Sequence, residues 1–209
     1  RYELGQPLCE ARSIPGQVLL IERGTARLLG EQDGRLSTLA KLEVGQFVGA
    51  ASLLRGAPCE DVRAASELIA LRLSDENFLD LLQHNPAAAA ACNGHLWPAE
   101  LAALLKSLLQ QTPRQTRTLN SWLKELLPQA QLLNASDDLA IQTAFNANQC
   151  LFLSGEPTEQ GHGELGQEFK NIKEISVLPG GLHQLPLRLI GLPKTCLLYT
   201  SDAADERLR

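Results

Sequence analysis

The sequence predicts an α+β chain, with a small antiparallel β-structure first, a helical region next and a short mixed segment last. Three observations predict it. Before Ser74, short apolar runs alternate with glycine turns at a spacing suited to an antiparallel barrel or sandwich. After Ser74 the apolar period becomes helical. From Gln149 onward the pattern weakens into short apolar runs around a polar, glycine-rich stretch. Hydrophobic residues make up 44% of the 209 residues, enough for a core, and with only 4% aromatics that core must be mostly Leu, Ala, Val and Ile.

The elements follow in order. Val18 to Ile21, Ala26 to Leu29 and Leu36 to Leu42 are strand runs separated by "ERG" and "QDG". Asp33-Gly34 is a hairpin signal, because glycine accepts the positive φ of a tight turn. "ELIALRL", Glu67 to Leu73, closes the set. Ser74 is an N-cap with Asp75 and Glu76 in the first turn, which predicts a helix from Asp75 to about Gln83. Pro86 ends that helix and the alanine run from Ala87 starts another. Pro98 suits the first turn of "AELAALLKSLLQQ", and "TLNSWLKELLPQAQLL" reads as one more helix, bent at Pro128. "CLFLS" is a strand, "GEPTEQGHGELGQ" a loop, and "KEISVLPGGLHQLPLRLIGLP" two more short strands. The expected divisions are 1–85, 86–148, 149–195 and 196–209.

Several function classes are excluded by composition. A net charge of -5 and a pI near 5.4 argue against nucleic acid, since phosphate contacts need clustered Lys and Arg. No apolar run reaches the roughly 18 residues of a membrane span, and no signal-peptide pattern opens the chain. Cys9, Cys59, Cys92 and Cys150 are scattered without a CxxC pair, which reads as reduced, mostly buried thiols in a cytosolic protein. Cys92 with His95 is the nearest approach to a metal pattern, and one pair does not make a site. The histidines at 84, 95, 162 and 183 lie far apart, with "GHGELG" around His162 reading as a solvated turn. Neither G-x-S-x-G nor G-x-x-x-x-G-K-[ST] occurs, so the stretch reads as non-enzymatic. With no Met and Arg1 first, the sequence reads as a fragment. "CLLYTSDAADE", Cys196 to Glu206, reads as a translated sequencing adapter, and Cys196 to Arg209 is expected to pack against nothing.

From about Leu4 to Leu82, "PGQVLLIERGTARLL…DGRLSTLAKLEVGQFVGAASLLRGAPCEDVRAASELIALRLSDENFLDLL" resembles the cyclic nucleotide-binding domain family. The resemblance implies a jelly-roll-like, eight-stranded antiparallel β-roll, a double-stranded β-helix with flanking helices. A short helix between two strands would receive the nucleotide phosphate. A helix N-terminus offers unpaired N–H groups and about half a positive charge to such a group. The implied cradle is Phe47, Gly49, Ala50, Ala51, Ser52, Leu53, Pro58 and Cys59. Gly49 would let the backbone approach the ligand. Phe47 reads as core, and Ser52 as packing or capping.

The chain departs from the family at two positions. In the family a glutamate follows the glycine and holds the ribose, and an arginine follows the proline and pairs with the phosphate. Here the first is Ala50, and the second is Cys59 or Glu60. Glu60 and Asp61 fall where a phosphate would sit. Losing a charged hydrogen-bond partner costs about 1.5–3 kcal/mol, so two losses weaken binding by roughly two to four decades. Arg55, at the end of the short helix, and Arg63, on the strand after the turn, are the replacement cations on offer, each otherwise a solvated surface arginine.

The succession of this roll, "CNGHLWPAELAALLKSLLQQ" and "LPLRLIGLP" is also similar to the N-terminal region of cyanobacterial ABC exporters that carry a cysteine peptidase, of the type I secretion kind. That likeness implies a cytoplasmic regulatory or docking module on a larger transporter, without cofactor. Its partners would be the rest of its own polypeptide or other proteins, with a homodimer as a further option. The alternatives are a sensor of cyclic AMP or cyclic GMP with altered contacts, and a transcription regulator of the catabolite-activator type. The latter needs a long dimer helix and a basic helix-turn-helix, whereas the helices after Pro86 are acidic or neutral and broken by proline.

Overall fold

The computed structural model describes residues 1–111, 118–156, 164–176, 178 and 185–195. His162, His183 and the segment Cys196 to Arg209 lie outside them. The chain divides into two compact units, Arg1–Ala103 and Leu104–Arg209.

The first unit begins with β1 (Pro7–Cys9), β2 (Gln17–Arg23), β3 (Ala26–Gln32), β4 (Arg35–Leu42) and β5 (Phe47–Val48). A short helix α1 (Ala50–Arg55) leads to β6 (Asp61–Ala64), β7 (Ile69–Ser74), the helices α2 (Asp75–His84) and α3 (Pro86–Asn93), and the start of α4 (Pro98–Gln111), whose residues from Leu104 belong to the second unit. The strands form two antiparallel sheets, ordered β1-β6-β3-β4 and β5-β2-β7, with an added bridge between Tyr2 and Leu68. This is the antiparallel β-roll implied by the sequence, built of seven strands and the Tyr2–Leu68 bridge where the resemblance implied eight strands. The Asp33-Gly34 turn forms as expected, with φ of 52° and 73° joining Gln32 to its partner Arg35.

Leu19, Ile21, Leu28, Val62 and Ala64 are buried to 2% exposure or less and fill the unit's core. Leu20 pairs across the sheet with both Phe47 and Leu71, which places the three on one face. Phe78 of α2 meets Phe47 ring to ring at 6.3 Å, so α2 covers part of that face. α2 starts where its cap predicts: the Ser74 hydroxyl accepts from the Asn77 amide at 3.3 Å. Asn85 caps α3 in the same way, through Ala88 at 3.0 Å. α3 buries none of its residues.

The second unit contains α5 (Leu119–Leu126), β8 (Gln131–Asn134), α6 (Asp138–Asn146), β9 (Gln149–Leu153), β10 (Glu168–Phe169), α7 (Ile172–Ser176) and β11 (Arg188–Pro193). Among the described residues its strands make an antiparallel sheet ordered β10-β9-β11-β8. Ile141, Ala144, Leu151, Leu153, Phe169, Ile175, Leu187 and Leu189 form one core cluster.

Two expectations are corrected here. The helix from Thr118 does not bend through Pro128: α5 stops at Leu126, and "QLLN" is a strand paired with β11, Leu133 opposite Leu189. Proline has no amide to continue the helix, and the sheet supplies a partner that local sequence does not reveal. The start of the expected strand "KEISVL" is instead helical, in α7. Its signal was Asn171, whose side-chain oxygen accepts from the amides of Lys173 and Glu174 at 3.1 and 3.3 Å.

Truncating Leu19 to Ala should lower the unfolding free energy of the first unit by about 2–5 kcal/mol. Leu71→Ala, at a position 56% exposed in the same sheet, should change it by less than about 0.5 kcal/mol. Urea unfolding of the two variants checks the contrast, and equal losses would contradict this assignment of the core.

Candidate functional site

The sequence at the cradle explains its local shape. Two residues of β5 lead into Gly49, which adopts φ 92°, ψ -16°. A Cβ there would lie 2.7 Å from the Gln17 carbonyl oxygen and 3.1 Å from the Pro15 ring, so only glycine fits at this conformation. α1 follows for six residues and ends at Gly56, also left-handed at φ 70°, whose amide donates to the Leu53 carbonyl. Every residue of α1 is buried, including Ser52 and Arg55. Pro58 is exposed and Cys59 half-buried. Phe47 is half-buried, with its ring 6.4 Å from that of Trp97.

α1 has no acidic residue in its first turn and no side-chain cap from Gly49. Two amides at its start, those of Gly49 and Ser52, are satisfied from a distance. Glu60, 4% exposed, accepts from the Gly49 amide through Oε1 at 2.8 Å and from the Ser52 amide through Oε2 at 2.9 Å. Both oxygens of one carboxylate are thus held on backbone donors at the helix start, a charge-assisted arrangement. Ser52 returns the link: its hydroxyl accepts from the Cys59 amide at 3.1 Å and lies 3.5 Å from the Cys59 sulfur. The turn Pro58–Glu60 is therefore tied back onto α1 at three points.

Burial and charge act together on the titratable groups. Burial pushes the Glu60 carboxyl above its ordinary range. The Ser52 and Gly49 amides and the Ser52 hydroxyl pull the other way, and the Glu100 carboxylate adds to the upward push. Burial pushes the Cys59 thiol up to about 12, against the opposing field of Arg55. Cys9 is also held at about 12, by burial and then by the fields of Glu60, Cys59 and Asp61. These thiols stay protonated at neutral pH and are not nucleophiles.

Gly49 to Leu53 are consecutive, Cys59 is held against Ser52, and Glu60 bonds to the Gly49 and Ser52 amides. Ala50, Ala51 and Leu53 are core residues, at 3% exposure or less. The reading of Arg55 as a solvated surface arginine is corrected: it is 5% exposed, because its helix lies wholly inside the unit. Arg63 lies on β6 as expected, 44% exposed and 3.9 Å from Asp61. The His95 ring lies edge-on to Trp97 at 4.5 Å. Among the described residues no group of three or more His, Cys, Asp or Glu could hold a metal, and no helix is long and apolar enough to cross a membrane. Sequence reasoning missed the capping role of Glu60 and the burial of Arg55 and Glu100. The available signal for Glu60 was a glycine-initiated helix with no acid of its own and an acid shortly after its closing turn.

Residues 1–85 match the family model of the cyclic nucleotide-binding domain. Among solved structures the chain is similar to the catabolite activator protein of Thermus thermophilus, at 27% identity over 54% of this chain and 49% of that one, with a TM-score of 0.40. It is similar to a cyclic nucleotide-binding-like protein of Brucella abortus, at 22% identity over 39% and 72% of the two chains, with a TM-score of 0.35. The regulatory subunit of a cAMP-independent protein kinase A from Trypanosoma cruzi, solved bound to guanosine, aligns at 19% identity over 51% and 39%, with a TM-score of 0.42. The chain thus spans about half the length of the Thermus protein. No curated protein matches it.

Alkylation tests the closed turn. With the thiols raised from 9.0 to about 12, the thiolate fraction at pH 7.5 falls by roughly a thousandfold. Peptide mapping should find Cys9 and Cys59 alkylated slower than in the unfolded chain by about that factor. Equal rates would contradict the burial described.

Proposed function

We propose that the cyclic nucleotide-binding domain at residues 1–85 is a docking module that holds no nucleotide and forms the N-terminal part of a larger ABC-type export protein. The observation that carries this reading is the Glu60 carboxylate on the Gly49 and Ser52 amides. An incoming phosphate would need those donors and would meet a buried acid in its way. Ala50 offers no acceptor to a ribose and Cys59 no cation to a phosphate. Expelling Glu60 forfeits two charge-assisted hydrogen bonds of about 1.5–3 kcal/mol each. Apparent affinity falls further by the fraction of molecules in which the cradle is empty.

The module then acts through protein contacts, with the rest of its own polypeptide, another protein or a second copy. The helices after Pro86 suit this role: α3 buries nothing of itself and exposes Ala87, Ala90 and Ala91. The expected place is the cytoplasm, at the inner face of the membrane when joined to a transporter, and the stretch itself carries out no catalysis. A second reading, a sensor of cyclic AMP or cyclic GMP with altered contacts, is favoured by Arg55, a buried cation in the wall of the cradle.

Titration calorimetry with cyclic AMP and cyclic GMP separates the two readings. The docking module should show no heat of binding below about 100 μM ligand. A dissociation constant near 1 μM, about -8 kcal/mol, would overturn it in favour of the sensor.

A further inference from the structure

α4 enters the first unit in an unusual way. Its first turn carries an acid, Glu100, that is 0% exposed, between Ala99 at 4% and Leu101 at 0%. Just ahead of it, Trp97 meets Phe47 edge to face at 6.4 Å, two residues before the Gly49 amide. A buried carboxylate is rarely left without a cation, because removal from water costs more than packing returns. A buried cation is present in the same unit. Arg55, 5% exposed at the end of α1, and Glu100 both act on the same Cys59 thiol, and Glu100 also acts on Glu60. The Arg55 charge opposes the effect of burial at Cys59.

We infer that Arg55 of α1 and Glu100 of α4 are an ion-paired latch that closes the start of α4 over the Glu60-filled cradle with no ligand present. The inference rests on the reading that Glu60, and not a nucleotide, fills the cradle. Its consequence is coupling. When the latch opens, water reaches the Gly49 and Ser52 amides and loosens Glu60, so α4 and the cradle open together. A protein that binds the released start of α4 would then be sensed at the cradle, in the direction opposite to that of a ligand-driven sensor.

Backbone hydrogen exchange on the full, nucleotide-free chain tests this. Arg55→Met and Glu100→Met each leave one buried charge uncompensated. Each should speed exchange of the Leu101 to Ala103 amides and of Gly49 and Ser52 by at least about tenfold, while β3 amides keep their protection. The double variant removes both charges and should recover most of the protection, which is the signature of a direct pair. If the single variants fail to fold, a double variant that folds supports the pair equally, and one that also fails to fold overturns it. Unchanged α4 exchange in folded single variants, or a double variant as damaged as the sum of the singles, would overturn the latch. Nucleotide binding in calorimetry would instead overturn the reading beneath it, so the two failures are distinct.

Discussion

The carboxylate of Glu60 bridges the amides of Gly49 and Ser52, and the geometry of the first unit is organised around that bridge. α1 is too short to be stable alone, and its leading N–H groups face the interior, where water cannot satisfy them. A buried donor without a partner would cost about 1–3 kcal/mol. Glu60 removes that cost for two donors at once and fixes the return of the chain into β6. The Ser52 hydroxyl on the Cys59 amide completes the loop. Gly49 is required because the same approach that aims its amide inward brings its α-carbon against the Gln17 carbonyl.

Placing a carboxylate there has electrostatic consequences. Burial and the nearby Glu100 raise its proton affinity, and the two amides and the Ser52 hydroxyl lower it. A group whose folded-state pKa is raised holds its proton to higher pH than in the unfolded chain. Its net contribution to stability therefore declines as pH rises from the ordinary carboxylate range through the folded pKa. The same negative field helps keep Cys9 protonated. The site is thus acidic, buried and already bonded to two backbone amides.

Much of the first unit was legible in the sequence because its signals are local. Asp33-Gly34, Ser74 with its acids, and the alternating runs each fix an element within a few residues. The empty positions of the cradle, Ala50 and Cys59, were legible for the same reason. Glu60 was visible as an acid in the wrong place, but its role depends on the turn Gly56–Cys59 folding it inward, which no spacing rule states. The burial of Arg55 was hidden because a helix enclosed on all sides gives no amphipathic pattern to read. In the second unit the failures came from tertiary pairing. "QLLN" has no strand signature of its own and becomes a strand because β11 offers it a ladder, while Asn171 turned "IKEIS" into a helix through two local bonds.

The most direct test of the central claim is an NMR pH titration that follows the Gly49 and Ser52 amides together with the Glu60 side-chain carboxyl carbon. The account predicts that all three move with one common midpoint, above the ordinary glutamate value of 4.5, and that the two amides stop responding in Glu60→Gln. Amides that ignore the Glu60 titration, or that respond unchanged in the variant, would show that the carboxylate does not occupy the cradle.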